Sequence, residues 1–444
     1  MSVAVVLRYR KAVTYGHHAL LGALEAEPPQ TPFTVAFATS PEATAAEITA
    51  GLRTADRVLV LWSFYSPDAA ALAVELATIR ALVDDARVLH VAGGVHATAE
   101  PQQVLDAGWD VAAIGEGETT VIRLLDAVGT DAPLTGVRGL AVRDADGVAV
   151  RTGPAITREL DAFGSFSLRY SKFGPIELTR GCIYACRFCQ TPFMFSARFR
   201  HRSVENVRWH VKAMVDAGMK DVRFTTPTSL SYGTQTEEPD LDAVEELLGT
   251  VRAELPPHGR VFFGSFPSEV RPEHVTPDAM RMLRKYVSND NIIIGAQSGS
   301  DRMLAASRRG HGAEPVLDAV RIAAEAGFRP NVDFLFGMPG EDAADAEASL
   351  RLAEAVADLG GRVHAHTFMP LPGTPWRDAE PAFVAAETIT TFDRLAARGA
   401  LYGHWRRQAE HAERLAEAAK AYPRRAPRRR TTPTWRDAGG GEGI

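Results

Sequence analysis

Cys182, Cys186 and Cys189 are the only thiols in this chain of 444 residues, and all three fall inside the stretch GCIYACRFCQ at 181–190. An odd number of closely spaced thiols makes a poor disulfide framework, because so small a loop constrains little of the unfolded chain. The spacing Cys-x3-Cys-x2-Cys instead offers soft ligands to a metal at one point. A structural zinc site needs four ligands, and His201 is a candidate fourth. Three thiolates without a fourth suit an iron–sulfur cluster with one iron left open.

Composition bounds what such a centre would serve. Hydrophobic residues make up 45% and charged residues 23%, as in globular proteins, and 444 residues suffice for two or three domains. A net charge of −6 argues against nucleic acid as a partner. The start MSVAVVLRYR lacks the features of a secretory signal, and no apolar run approaches the roughly 20 residues of a membrane span. A cytoplasmic location, where thiols stay reduced, is the expectation. Residues 422–444, rich in Arg and Gly, read as a disordered tail, either simply solvated or an arm for RNA or a carrier protein.

Two series of elements must position the chemistry. In residues 1–130, VAVVLR (3–8), FTVAFAT (33–39), RVLVLW (57–62), RVLHVAG (87–93) and DVAAIG (110–115) each precede a helical stretch. That order predicts a doubly wound, Rossmann-like parallel sheet with both faces covered. Ligands of such sheets sit beyond the strand carboxyl ends. The loops expected there are WSFYSPD (62–68), GGVHATAE (93–100) and GEGETT (115–120). Their candidate ligand residues are Ser63, Phe64, Tyr65, Ser66, Gly93, Gly94, Val95, His96, Gly115, Glu116, Gly117 and Glu118. Glycine lets backbone approach a flat ligand closely. His96 reads either as a metal ligand or as a hydrogen-bond partner of loop backbone or cofactor. Glu116 and Glu118 read either as cofactor contacts or as acids favouring a helix N-terminus. Residues 131–170 read as a linker carrying a β-hairpin that turns at DADG.

The second series runs through 171–376. Its strand candidates are GPIELTR (174–180), DVRFTT (221–226), RVFFGS (260–265), NIIIGA (291–296), NVDFLFG (331–337) and RVHAHTFMP (362–370). With helices between them they fit a partial (β/α)6 barrel, whose working face lies at the strand carboxyl ends. The cysteines follow the first of these strands directly. Residues 377–421 read as a helical extension, either a packing pair or a cover over the barrel mouth.

The cysteine motif, with Phe188 just before the last Cys, resembles that of the radical S-adenosylmethionine (SAM) superfamily. FTTPTSLSYG (224–233), IGAQSGSDRML (294–304) and FLFGMPGE (334–341) extend the resemblance, in wording shared with tRNA methylthiotransferases. The second cysteine trio of those enzymes is absent, and no small C-terminal RNA-binding β domain is recognisable. GGVHAT and GEGE, ahead of the motif, resemble the cobalamin-binding domain of cobalamin-dependent radical SAM enzymes. No Asp-x-His-x-x-Gly loop occurs, so the resemblance implies cobalamin bound base-off, without a protein His on cobalt. It implies a 4Fe–4S cluster on the three cysteines and SAM against Phe188, Thr226, Pro227, Ser265, Gln297, Ser298, Phe336 and Gly337. Gln297 and Ser298 suit hydroxyls, and Gly337 suits a flat base, although the glycines also suit plain turns.

The activity so implied is methyl transfer. A 5′-deoxyadenosyl radical takes hydrogen from an unactivated carbon, and methylcobalamin donates the methyl group. Rearrangement or oxidation without methyl transfer, or a cobalamin or redox sensor, are the alternatives. The expected partners are a small-molecule, peptide or natural-product substrate and an electron donor such as flavodoxin or ferredoxin. No catalytic side chain is assigned.

Overall fold

The computed structural model describes residues 1–382 and 384–423; the Arg-rich stretch expected to be disordered lies almost wholly outside them. In the N-terminal sheet, strand Val3–Arg8 stands between Phe33–Ala38 and Arg57–Ser63, followed by Val88–Gly93 and Val111–Ala113, all parallel. Successive side chains of a strand point to opposite faces. Val3, Val5 and Leu7 accordingly pack with Leu21, Leu24 and Leu125 of helices Thr14–Ala26 and Glu118–Thr130. Ala4 and Val6 pack with Ile48, Leu72 and Leu76 of helices Pro41–Thr54 and Ala69–Leu82. Both faces are covered, which is why the strands read as almost continuous apolar runs. The order in which strands are added across the sheet reverses between Val3–Arg8 and Arg57–Ser63, opening a crevice at their carboxyl ends.

Two local expectations are corrected. The stretch expected as a loop at 93–100 turns at Gly94, with φ +86°, and continues at once as helix Gly94–Ala99. The hairpin expected to link the domains instead joins the sheet. Strands Leu140–Arg143 and Ala149–Arg151 extend it antiparallel from Val111–Ala113, covering what would be an open edge.

The second series forms a curved parallel wall. Strands Ile176–Glu177, Asp221–Thr225 and Arg260–Phe262 pair in one sheet; Asn291–Gln297, Arg329–Phe336 and Arg362–Thr367 pair in another. Ile293 N–H donates to the Gly264 carbonyl at 2.9 Å and Val270 N–H to the Ile293 carbonyl at 2.8 Å, bridging the two. The C-terminal region is more than a helix pair. Gly399, with φ +71°, ends helix Ala386–Ala397, and Leu401–Tyr402 then pairs parallel with Val363 and His364 as a further strand. Helix Trp405–Ala421 follows. Among the described residues no helix is long and apolar enough to cross a membrane.

Candidate active site

The sheet strands end under two adjoining cavities. One lies between helices Thr14–Ala26 and Glu118–Thr130, with apolar walls from Leu20, Leu61, Val91, Val121 and Leu124. Ser63, Gly93, Gly94, Gly115, Glu116, Gly117 and Glu118 line it as the sequence proposed. The other takes Ser63, Phe64, Tyr65, Gly94, Val95 and Gly115. The ceiling comes from the second module: Glu177, Arg180 and Phe195 over the first cavity, Met194 and Phe195 over the second. A wide apolar slot with glycine at its rim fits a large flat ligand with an apolar tail.

Ser66 and His96 line neither cavity. They are buried together, His96 Nδ1 lying 3.0 Å from Ser66 Oγ, so the hydroxyl answers the ring. Burial pushes the His96 pKa down to about 4. Glu116 and Glu118 have a use that neither sequence reading supplied. The Arg180 guanidinium meets Glu116 at 2.9 Å, Glu118 at 2.8 Å and Glu177 at 2.7 Å, and Arg200 also pairs with Glu116. Burial is the largest single influence and would raise the Glu177 carboxyl, but the charge and hydrogen bonds of Arg180, together with the charges of Arg202 and Arg200, outweigh it and the pKa falls. This buried network ties the GEGE turn to the strand that delivers Cys182.

Gly94 is constrained twice. Its φ of +86° disfavours a side chain, and a Cβ there would lie 2.9 Å from Ser63 Oγ. Gly94→Leu therefore distorts the turn between both cavities. We expect it to weaken binding of the cobalamin that the sequence resemblance implies by about tenfold or more, checked by equilibrium dialysis, because strained substitutions cost on the order of 1–3 kcal/mol. Unchanged affinity would remove Gly94 from the site.

His17 escaped the sequence reading. It is 1% exposed, lines the first cavity, and neither ring nitrogen has a hydrogen-bond partner among the described residues. Burial and neighbouring His18 push its pKa down to about 4, leaving a neutral ring with both nitrogens free to bond a ligand. Its position after the first strand was the sole signal.

On the far side of the cysteine stretch a cleft opens into the barrel. Cys182, Cys186 and Cys189 line it together with Phe188, Thr226, Pro227 and Gln297. Burial, and after it the neighbouring thiols, push Cys182 up to about 12. A cation arriving there must displace protons. Arg309, also missed, donates toward Cys186 Sγ at 3.8 Å and to the Gly295 carbonyl at 2.7 Å, placing a buried positive charge beside the thiols. His201 does not join them: Nε2 donates to the Thr234 carbonyl at 2.8 Å and Nδ1 faces Thr179 Oγ1 at 3.0 Å. Both nitrogens are engaged, and the zinc reading loses its fourth ligand.

Four other proposed SAM residues lie outside the cleft lining. Ser298 is fully buried and bonds Ser349 Oγ at 3.0 Å, pinning its loop to helix Ala343–Asp358. Phe336 packs edge-on to Phe392 at 4.7 Å, in the outer core. Gly337, with φ +74°, accepts the Ala382 N–H at 2.9 Å, and a Cβ would strike that residue's carbonyl. Ser265 is buried beside the lining residues Phe266 and Pro267. A one-residue difference in strand register decides which face a side chain meets, and the motif wording does not carry it.

Residues 176–380 match the family model described as the radical SAM superfamily. A putative methylthiotransferase of Methanocaldococcus jannaschii is 26% identical over 270 residues, 58% of this chain and 55% of that protein. Across eight of the curated relatives it matches, the alignments span between 42% and 63% of their length. The structure of the radical SAM methyltransferase TsrM from Kitasatospora setae, with cobalamin and a 4Fe–4S cluster bound, superposes with a TM-score of 0.64 at 18% identity, covering 85% of this chain and 74% of that one. The cobalamin-dependent radical enzyme OxsB, with aqua-cobalamin bound, gives 0.63 at 17% identity, covering 80% and 52%. At these identities the likeness is one of fold.

Proposed function

We propose, from the match of residues 176–380 to the radical SAM superfamily, that this chain is a radical SAM enzyme that transfers a methyl group from SAM to an unactivated carbon of a small-molecule, peptide or natural-product substrate, with cobalamin as carrier. Cysteine count weighs against methylthio transfer, since no second trio exists for an auxiliary cluster.

One observation carries the reading. The segment that follows strand Ile176–Glu177 serves both sites: its thiols line the barrel cleft, and Arg180 and Phe195 close the cavity of the N-terminal sheet. Both sites fit the groups assigned to them. Three convergent thiols beside a buried Arg suit a thiolate-bound cluster. An apolar cavity with a glycine rim and an unpartnered buried His17 suits a corrin with its nucleotide tail extended. When bound, these cofactors supply homolytic C–S cleavage and methyl carriage.

The chain's own contribution is placement. Cys182, Cys186 and Cys189 would hold the cluster, Phe188, Thr226, Pro227 and Gln297 would bound SAM, and the cavity glycines and Phe195 would bound the corrin. His96, committed to Ser66 and lining neither cavity, would not meet the corrin, whereas His17 offers the cavity wall two free ring nitrogens. Flavodoxin or ferredoxin would supply electrons, in a reducing cytoplasm.

The test is stoichiometric. With substrate, cobalamin and methyl-labelled SAM, 5′-deoxyadenosine and S-adenosylhomocysteine should form in about a one-to-one ratio, and the label should reach the product, since each cofactor consumes its own SAM. Deoxyadenosine without S-adenosylhomocysteine or label transfer would mean rearrangement or oxidation instead. A chain that binds cobalamin yet leaves SAM intact under strong reductant would be a sensor.

A further inference from the structure

Three polar side chains of the barrel interior have no role in the reading above. Asp333 stands on strand Arg329–Phe336, and His364 and His366 on the adjacent strand Arg362–Thr367. Residues two apart share a strand face, and register sets Asp333 opposite His364. All three line the cleft that holds the thiols, and one ligand atom from each lies within 4.8 Å of the others.

Hydrogen-bond accounting limits what this trio accepts. Thr367 N–H donates to Gln408 Oε1 at 3.0 Å, so the Gln408 amide turns its NH2 toward His366 Nδ1, 3.1 Å away. Nδ1 therefore accepts, and the neutral ring carries its proton on Nε2. Burial, and then nearby His364, hold His366 neutral with a pKa of about 4. Its Nε2–H points at His364 Nδ1, 3.1 Å away, which also lies 2.9 Å from Asp333 Oδ1. If His364 Nδ1 accepts from His366, its lone pair faces the Asp333 carboxylate. If it donates to Asp333, two N–H groups face each other. One contact remains unsatisfied in either tautomer.

A cation with N–H bonds set against Asp333 relieves the conflict: the carboxylate then accepts from the cation, and the single lone pair of His364 Nδ1 stays with the His366 N–H. A metal held through His366 Nε2 would require the opposite tautomer and cost Gln408 its bond to Thr367. Charge points the same way. In this cleft Glu269 lies 3.7 Å from Arg309, and Arg271 pairs with Glu273, but Asp333 has no Arg or Lys partner among the described residues.

We propose that Asp333 anchors a protonated amine of the substrate inside the barrel, with Gln408 and His366 fixing the His364 ring beside it. This rests on the barrel being the chamber where substrate meets SAM.

The test uses the full chain with its cluster reconstituted, and two probes of like shape, benzylamine and benzyl alcohol, by titration calorimetry. The amine should bind at least about tenfold tighter than the alcohol, and Asp333→Asn should abolish the preference, because hydrogen bonds to charged groups outweigh neutral ones. Equal binding of the two probes, no detectable amine binding, or a preference surviving in Asp333→Asn would overturn the proposal. Cobalt(II) titration giving ligand-field bands that Asp333→Asn removes would overturn it in favour of a metal site. Should Asp333→Asn fail to hold its cluster, Asp333→Glu, which keeps the charge but displaces it, must change the preference instead, and a preference equal to that of wild type there would overturn the proposal. SAM cleavage on the same samples separates the readings. Intact cleavage with no amine preference sinks this inference alone, whereas no cleavage by wild-type enzyme sinks the radical SAM function itself.

Discussion

Replacing any one of Cys182, Cys186 or Cys189 with alanine is expected to abolish reductive SAM cleavage while leaving cobalamin binding unchanged. The three thiols line one cleft, and the nearest alternative ligand suggested by the sequence, His201, has both nitrogens engaged elsewhere. His201 therefore does not substitute for a lost thiolate. Reconstituted wild-type chain should hold about four irons, with the broad absorbance of thiolate-bound clusters, and each variant should lose most of them. Deoxyadenosine formation under dithionite should fall by more than the roughly 10–100-fold that changes outside a ligand set cost. Cobalamin retention in the same variants follows from separation of the sites: no cysteine lines either cavity of the N-terminal sheet. A variant that keeps its iron and cleaves SAM would remove the cluster assignment. So would wild-type protein that takes up zinc and refuses iron.

Arg180→Gln should be the most damaging single change outside the cysteines. Its side chain is 9% exposed and faces Glu116, Glu118 and Glu177, whose own side chains are 6%, 8% and 22% exposed. Removing the guanidinium leaves carboxylates buried together, with Arg200 still answering Glu116 alone. Breaking a buried pair in this way typically costs about 3–5 kcal/mol, far more than the net worth of the intact pair. We expect a drop of that order in stability toward urea. Cobalamin affinity should fall as well, because Arg180 forms part of the cavity ceiling and holds the GEGE turn in place. The double change Arg180→Gln with Glu118→Gln should recover part of the loss, as coupled residues do in a mutant cycle. A single variant within about 0.5 kcal/mol of wild type, the range of ordinary surface changes, would show that the network carries no load.

Local pattern alone determined much of this protein. Val3–Arg8 and its four parallel partners were legible because strands buried on both faces read as apolar runs, each followed by a helix. The thiols were legible because their spacing is itself the chemistry. Most of the loop residues named for the cavities do line them, since in such sheets ligand sites follow from strand order.

What the tertiary structure decided concerns partners distant in sequence. Strand Leu401–Tyr402 is too short to show a period, and it exists because Val363 and His364 offer it an edge. The hairpin at 140–151 was recognisable as a hairpin, but only the unpaired edge of Val111–Ala113 recruits it into the sheet. Glu116 and Glu118 suited a helix N-terminus equally well on paper; Arg180, more than sixty residues away, claims them. Ser298 and Phe336 sit within family-like wording yet face Ser349 and Phe392. Asp333, His364 and His366 drew no notice in sequence, because polar residues in strands acquire meaning only when register brings them opposite one another. Sequence periodicity reports which face of an element is buried. The chemistry waits on what covers that face, and only long-range packing supplies the cover.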